Sequence, residues 1–164
     1  LYLADLHGWT RFCSMQNHYN LVYREEEREM LPLCLEEGVG VIPWSPLARG
    51  FLAGNRRKGE FGDTSRAKTD NFAHELYYTD ADFAVADRVV ALAKRHGVKP
   101  TQIALAWMLT KPAVTAPIVG ASTLSHLDDA VDSLKVALSA EDIAFVEEPY
   151  APRPVLGFDP APSR

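Results

Sequence analysis

Three strand-length apolar runs, Arg11–Gln16, Val39–Pro43 and Val114–Val119, alternate with segments of helical character, and this alternation limits the folds open to the chain more than any other feature. Strands joined by helical crossovers pair in parallel, because parallel neighbours need a long return connection. The expected class is therefore α/β. Three parallel strands with helices on one side leave two exposed sheet edges and a poorly closed core.

Around these runs the helical segments carry recognisable ends. Leu1–Leu6 followed by His7-Gly8 reads as the last turn of a helix with its C-terminal glycine. Arg24–Glu37 places Met30, Leu33 and Cys34 at helical spacing with Gly38 as the stop, while Pro32 predicts a kink or a helix restarting near it. Trp44–Tyr78 is long, polar and without a sustained period, which marks a functional or mobile loop. Asp80–His96 is amphipathic through Phe83, Ala86, Val89 or Val90 and Ala93, capped by Thr79 or Asp80 and ended by Gly97. Thr101 is the expected cap of a helix running to Lys111. Leu124, Leu127, Val131 and Leu134 share one helix face, and Ser139-Ala140-Glu141-Asp142 resembles a capping box opening a last short helix. Five prolines follow from Pro149 to Arg164, so residues 149–164 are expected as a tail.

Composition removes several classes of function. Seventeen Lys+Arg stand against 22 Asp+Glu, a formal net charge of −5. That balance gives no reason to expect nucleic-acid or membrane-surface binding, and no apolar run approaches the ~18 residues of a bilayer span. Cys13 and Cys34 suit neither a zinc site nor a disulfide framework, so a reducing cytoplasm is the default. The chain opens on Leu1 without an initiator Met, a basic n-region or transit-peptide character, which leads to the expectation of a fragment.

In parallel α/β architectures chemistry gathers where strands end. The residues there are Gln16-Asn17-His18, Trp44-Ser45-Pro46-Leu47-Ala48-Arg49-Gly50 and Gly120-Ala121-Ser122. They suit a planar, phosphorylated ligand: a flat indole, an amide for a carboxamide edge, a glycine backbone open to a pyrophosphate, and loop cations at Arg49, Arg56, Arg57, Lys58 and Arg66. Ser122-Thr123 opens a helix whose amides could receive an anion. Spacing alone leaves other readings in place: Trp44 as a packed rim aromatic, the cations as solvated surface, Ser122 as a simple N-cap, each histidine as structural. There is no HExxH, GxSxG, Walker loop or GxGxxG.

The segments Ser14-Met15-Gln16-Asn17-His18-Tyr19-Asn20-Leu21, Arg24-Glu25-Glu26-Glu27-Arg28-Glu29-Met30 and above all Ile42-Pro43-Trp44-Ser45-Pro46-Leu47-Ala48-Arg49-Gly50 resemble the aldo-keto reductase superfamily. Ala104-Leu105-Ala106-Trp107 and Pro117-Ile118-Val119-Gly120-Ala121-Ser122 extend the resemblance over residues 1 to about 148. Within the superfamily the chain most resembles the aryl-alcohol dehydrogenase-like or potassium-channel-β-like branch. The resemblance implies a (β/α)₈ TIM barrel that reduces aldehydes and ketones with NADPH, without metal or flavin. It makes residues 1–148 the C-terminal portion of that barrel, about three βα units holding strands six to eight, with 149–164 as the tail.

The resemblance also implies roles. Gln16 would hydrogen-bond the nicotinamide carboxamide and Trp44 would stack on its ring. Ser45, Pro46, Leu47, Ala48, Arg49 and Gly50 would line the pyrophosphate, with Arg56 or Lys58 and Arg66 in a clasping loop. Gly120 and Ser122 would approach the adenosine 2′-phosphate. His126 stands where Arg or Gln is usual, Asp129 takes the usual acidic adenine contact, and Ala130 departs from the common Asn, so NAD stays open beside NADP. The family's catalytic Asp, Tyr, Lys and His lie upstream of the matched region, and no residue here is assigned to them. The expectation is a chain that supplies much of a cofactor site and is inactive alone. A non-catalytic cofactor-sensing or interaction subunit is the alternative, and self-association through open barrel edges is a third reading.

Overall fold

The computed structural model describes residues 1–56, 73 and 76–154. Arg57, Lys58, Arg66, His74 and the tail beyond residue 154 lie outside the described residues. The architecture is α/β. In chain order it contains α1 (Tyr2–His7), β1 (Ser14–Met15), a 3-10 turn at Glu25–Glu27, α2 (Met30–Glu36), β2 (Gly40–Val41), and a second 3-10 segment at Ala48–Ala53. Then come α3 (Asp80–His96), α4 (Pro100–Leu109), α5 (Leu124–Asp132), a 3-10 turn at Ser133–Lys135, and α6 (Ala140–Glu147).

β1 and β2 pair in parallel, Ser14 opposite Gly40 and Met15 opposite Val41. The donor pattern runs further than the strand bounds. The amides of Gly40, Ile42 and Trp44 donate to the carbonyls of Cys13, Met15 and Asn17 at 2.9, 2.9 and 2.8 Å. On the other edge of β2, Val41 N–H donates to Ala113 and Val41 C=O accepts from Thr115, at 3.1 and 2.8 Å. The next donors in that ladder would be Pro43 and Pro117, and neither has an amide hydrogen. Contact resumes one residue out of step, with Ile118 N–H on Pro43 C=O at 2.8 Å. The third strand expected at Val114–Val119 is therefore corrected to an extended segment with a single parallel bridge, Val41 to Val114.

α2 begins just before Pro32, whose missing N–H falls among first-turn amides that have no intrahelical acceptor. α3 carries the capping box: Thr79 Oγ1 accepts from Asp82 N–H at 3.3 Å, and Asp82 Oδ2 accepts from Thr79 N–H at 2.9 Å. α4 starts at Pro100 rather than being capped by Thr101, with Gln102 Oε1 accepting from Lys99 N–H at 2.8 Å. Every residue from Gln102 to Met108 is buried, as expected of a helix packed on all sides. The core runs from Tyr19, Leu21, Val22 and Val41 through Val89 and Leu92 of α3 to Ile103 and Trp107 of α4 and Val146 of α6. The apolar face of Leu124, Leu127, Val131 and Leu134 is exposed. Among the described residues no helix is long and apolar enough to cross a membrane.

The start of the proline-rich tail is docked rather than free. Tyr150 O–H donates to Glu25 Oε1 at 2.6 Å and accepts from Arg24 N–H at 3.0 Å. Arg153 N–H donates to the same Glu25 oxygen at 2.8 Å, its Nη1 donates to Leu76 C=O at 2.8 Å, and its Nη2 pairs with Asp82. Because the Asp82 side chain is only 2% exposed, removing its cation leaves a buried charge uncompensated. Arg153→Ala is therefore expected to lower the unfolding free energy by about 3 kcal/mol, read from a urea titration.

Gly54 closes the segment after β2 against the α3–α4 corner. Its φ is +81°, and an added Cβ would stand 2.8 Å from Pro100 Cγ and 3.2 Å from Val90 Cγ2. Gly54→Ala is expected to cost about 2–4 kcal/mol by the same titration, the sum of left-handed strain and overpacking.

Candidate functional site

Where Pro43 and Pro117 end the pairing, two chain segments leave the sheet at the same end, and the space between them is a cavity of about 750 Å³. One wall is the segment after β2: Trp44, Ser45, Pro46, Leu47, Arg49 and Gly50, continued by Ala53, Asn55 and Arg56. The floor comes from Thr101 and Leu105 of α4. The opposite wall is Ile118, Val119, Gly120, Ala121 and Ser122, followed by His126, Asp129 and Ala130 on α5. A more open depression of about 430 Å³ between His96, Gln102, Asp132 and Lys135 contains none of the residues expected at a site.

The structure thus gathers Trp44, Ser45, Pro46, Leu47, Arg49, Gly50, Arg56, Gly120, Ser122, His126 and Asp129 around one space. Ala48 is fully buried beneath the wall, and Gln16 is exposed outside the lining. Continuing the β1–β2 register places Gln16 beside Ile42, on the same sheet face as Trp44. Lys58 and Arg66 lie outside the described residues.

The wall after β2 is wound tightly by its own backbone. Ser45, Ala48 and Arg49 have φ of 55°, 47° and 55°, and Gly50 follows at 89°. Left-handed conformations at non-glycine residues cost of order 1–3 kcal/mol each and persist only where their surroundings hold them. Here Ser45 C=O accepts from Ala48 N–H at 2.9 Å and Ser45 Oγ accepts from Arg49 N–H at 3.2 Å. Leu47 C=O accepts from Gly50 and Leu52 at 2.9 and 3.2 Å, while buried Phe51 and Leu52 anchor the segment in the core.

Behind Trp44 lies a stack of rings that sequence reasoning missed. The His18 ring is 4.1 Å from that of Trp44 and 4.2 Å from that of Tyr23, at interplanar angles of 15° and 13°. His18 Nε2 is 2.6 Å from the Tyr77 hydroxyl, which also accepts from Asn20 Nδ2 at 3.1 Å. Asn20 Nδ2 donates in addition to Ser45 C=O at 3.0 Å. Burial, helped by the nearby positive charge of Arg153, lowers the His18 imidazole from 6.5 to about 4. Burial raises the Tyr77 hydroxyl to about 12 against the hydrogen bonds of Ser45 and Asn20.

The far corner is polar. Thr123 caps α5 by accepting from His126 N–H, and Ser122 Oγ lies 3.2 Å from His126 Nδ1. Asp129 is held by Lys99 Nζ at 2.7 Å. Beneath the floor, Thr101 Oγ1 is buried with no hydrogen-bond partner. Thr101, expected as the helix cap, instead stands at the second position of α4, which starts at Pro100. Among the described residues no cluster of His, Cys, Asp or Glu could hold a metal ion.

The family model described as "Aldo/keto reductase family" matches residues 1–151. A protein of Schizosaccharomyces pombe, provisionally named an aryl-alcohol dehydrogenase, is 47% identical over 154 residues, covering 94% of this chain and 46% of its own. Versiconal hemiacetal acetate reductase of Aspergillus parasiticus is 44% identical over 156 residues, covering 93% and 44%. The crystal structure of a thermostable aldo-keto reductase with the inhibitor epalrestat superposes with a TM-score of 0.58 at 25% identity, over 83% of this chain and 39% of that one. The chain spans less than half the length of these relatives.

The lowered His18 pKa has a measurable sign. Between about pH 4 and 6.5 the unfolded chain holds a proton on His18 that the folded chain does not, so this contribution is complete above pH 6.5 and fades as pH falls toward 4. The expected loss across that window is ~2–3 kcal/mol, and His18→Phe should remove it. Urea titrations at several pH values in the two proteins check this. Glu25, Asp142 and Glu147, whose carboxyls are pushed up by burial but held below the usual range by their hydrogen bonds and neighbouring cations, lose their contribution only at lower pH.

Proposed function

The chain belongs to the aldo/keto reductase family, and on that premise we propose that it forms the dinucleotide site of an oxidoreductase reducing aldehydes and ketones to alcohols with NADPH, NADH being the second choice. The observation that carries the reading is the cavity itself. It has a flat indole at one end, a left-handed backbone turn bearing Arg49 with Arg56 beside it in the middle, and a helix start with Ser122 and His126 at the other. A volume of about 750 Å³ lies within the usual range for cofactor sites. The proposal extends to topology: β1, β2 and the segment at Val114 stand in the parallel order of strands six, seven and eight of a (β/α)₈ barrel, and residues 1–148 form that part of it.

The cavity fits the cofactor on its own chemistry. Thr101 Oγ1 is a buried hydroxyl lacking a partner, and strained backbone at a cavity wall is the kind of geometry that persists where a ligand is held. A reduced nicotinamide, when bound, supplies hydride to a carbonyl carbon. Trp44 presents the ring against which a nicotinamide lies flat, and Gln16, exposed on the same sheet face, offers an amide to its carboxamide. The turn from Ser45 to Gly50 brings backbone and the Arg49 cation to a pyrophosphate, with Arg56 adding charge. Gly120 leaves room for close approach at the adenosine end. Ser122 and His126 stand where a 2′-phosphate would lie, and Asp129 accepts from the adenine amino group.

No residue of this chain takes the acid–base role that would protonate the carbonyl oxygen, so the chain alone is expected to bind cofactor without turning over. Fluorescence titration with NADPH should show saturable binding. Trp44→Ala should weaken it about five- to hundredfold, the loss of one base–aromatic stack. Carbonyl-dependent NADPH oxidation by the purified chain should not exceed the buffer rate. Absence of binding would sink the cofactor reading, and turnover would sink the assignment of the chemistry elsewhere.

A further inference from the structure

We propose that His18 is a positioning residue for the cofactor: its imidazole, locked by Tyr77, sets the plane of Trp44 and thereby the pose of the nicotinamide ring. This rests on the reading of Trp44 as the nicotinamide platform and goes beyond it, since it assigns a second layer to that platform.

The stack has an inside and an outside. Tyr23 at its inner end is 1% exposed, His18 in the middle is 8% exposed, and Trp44 at the outer end lines the cavity. Two nearly parallel rings at 4.1 and 4.2 Å leave the imidazole no freedom to tilt, so the indole rests on a fixed plane rather than on conforming aliphatic side chains. What remains is rotation of the imidazole within its own plane, and the hydrogen bond to Tyr77 removes it. His18 Nε2 and the Tyr77 hydroxyl share this bond at 2.6 Å, and Asn20 Nδ2 donates to the same hydroxyl at 3.1 Å, so the ring edge is held whichever imidazole nitrogen carries the proton. Tyr77 approaches edge-on, at 64° and 5.9 Å between centroids, and so bonds the ring edge without joining the stack.

A second hold on Trp44 comes through the peptide that follows it. Asn20, fully buried, donates from the same Nδ2 to Ser45 C=O at 3.0 Å. Ring plane and chain direction at Trp44 are thus fixed from one polar cluster of His18, Asn20 and Tyr77. A purely space-filling role would need none of these hydrogen bonds, because a leucine or phenylalanine fills the volume. The cluster supplies orientation, the property on which stacking and hydride geometry depend.

Saturation-transfer NMR of the full chain with NADP⁺ reads the two ends of the cofactor separately, through the nicotinamide and the adenine protons. In the native chain both sets of signals are expected. His18→Leu, which keeps volume but removes the flat face, should lose the nicotinamide signals and keep the adenine ones, whereas His18→Phe, which keeps a flat face but loses the bond to Tyr77, should keep the adenine signals and only part of the nicotinamide ones. A native signal ratio in His18→Leu, or a parallel fall of both sets, overturns the proposal while cofactor binding stands. Transfer to adenine alone in the native chain overturns Trp44 as the platform and this inference with it, and transfer to neither overturns the cofactor site as well. If His18→Leu does not fold, Tyr77→Phe decides by the same ratio. It deletes one hydroxyl and keeps every ring, and a reduced nicotinamide signal with adenine retained is expected; an unchanged ratio overturns the lock.

Discussion

A parallel ladder continues only while each strand has an amide hydrogen to give, and two prolines withhold it here at adjoining rungs. Pro43 and Pro117 occupy the positions from which the next hydrogen bonds between β2 and the Val114 segment would come. The ladder stops on that edge, the contact slips to Ile118, and the two chains separate. Everything that makes the cavity follows from this separation. Trp44 and the turn after it swing to one side, Gly120 and Ser122 to the other, and α4 closes the floor between them. The opposite edge of β2, where Trp44 still donates to Asn17, stays paired long enough to bring His18 beside the indole.

The wall after β2 holds a conformation that its sequence would not choose in isolation. Ser45, Ala48 and Arg49 sit in the left-handed region, and short-range hydrogen bonds from Ser45 and Leu47 meet only part of that cost. The remainder is met by burial: Ala48, Phe51 and Leu52 are inside, and Gly54 packs on Pro100 at a distance that no side chain could occupy. The site is therefore stiff because it is tied to the helical core, and the ring stack behind Trp44 ties it again from the sheet.

Local chemistry makes much of this readable in the sequence. Helix ends were legible at Thr79 and Ser139 because a capping box is written in adjacent residues, and the run from Trp44 to Gly50 identified itself by its unusual composition. Legibility failed where the determining partner is far away in sequence. His18 reads as one more unassigned histidine until Tyr77, 59 residues later, supplies its hydrogen bond. The strand expected at Val114–Val119 contained its own contradiction in Pro117, but the damage becomes clear only when Pro43 is seen to face it. Thr101 reads as a cap, but Gln102 and Lys99 fill that role, and its hydroxyl is left buried without a partner. The face of Leu124, Leu127, Val131 and Leu134 shows the limit of periodicity, which groups residues on one side of a helix without saying what covers that side.

The contact of Arg153 with Leu76 and Asp82 has a temporal meaning as well as a spatial one. It joins residues 71 and 77 positions apart, so on a ribosome adding about 5–20 residues per second the loop carrying Tyr77 waits roughly 4 to 15 s for its clasp. During that interval the rings around His18 have emerged, but the guanidinium that fixes their backing has not. Nascent chains at this stage hold the loop behind the ring stack without the cation that clasps it.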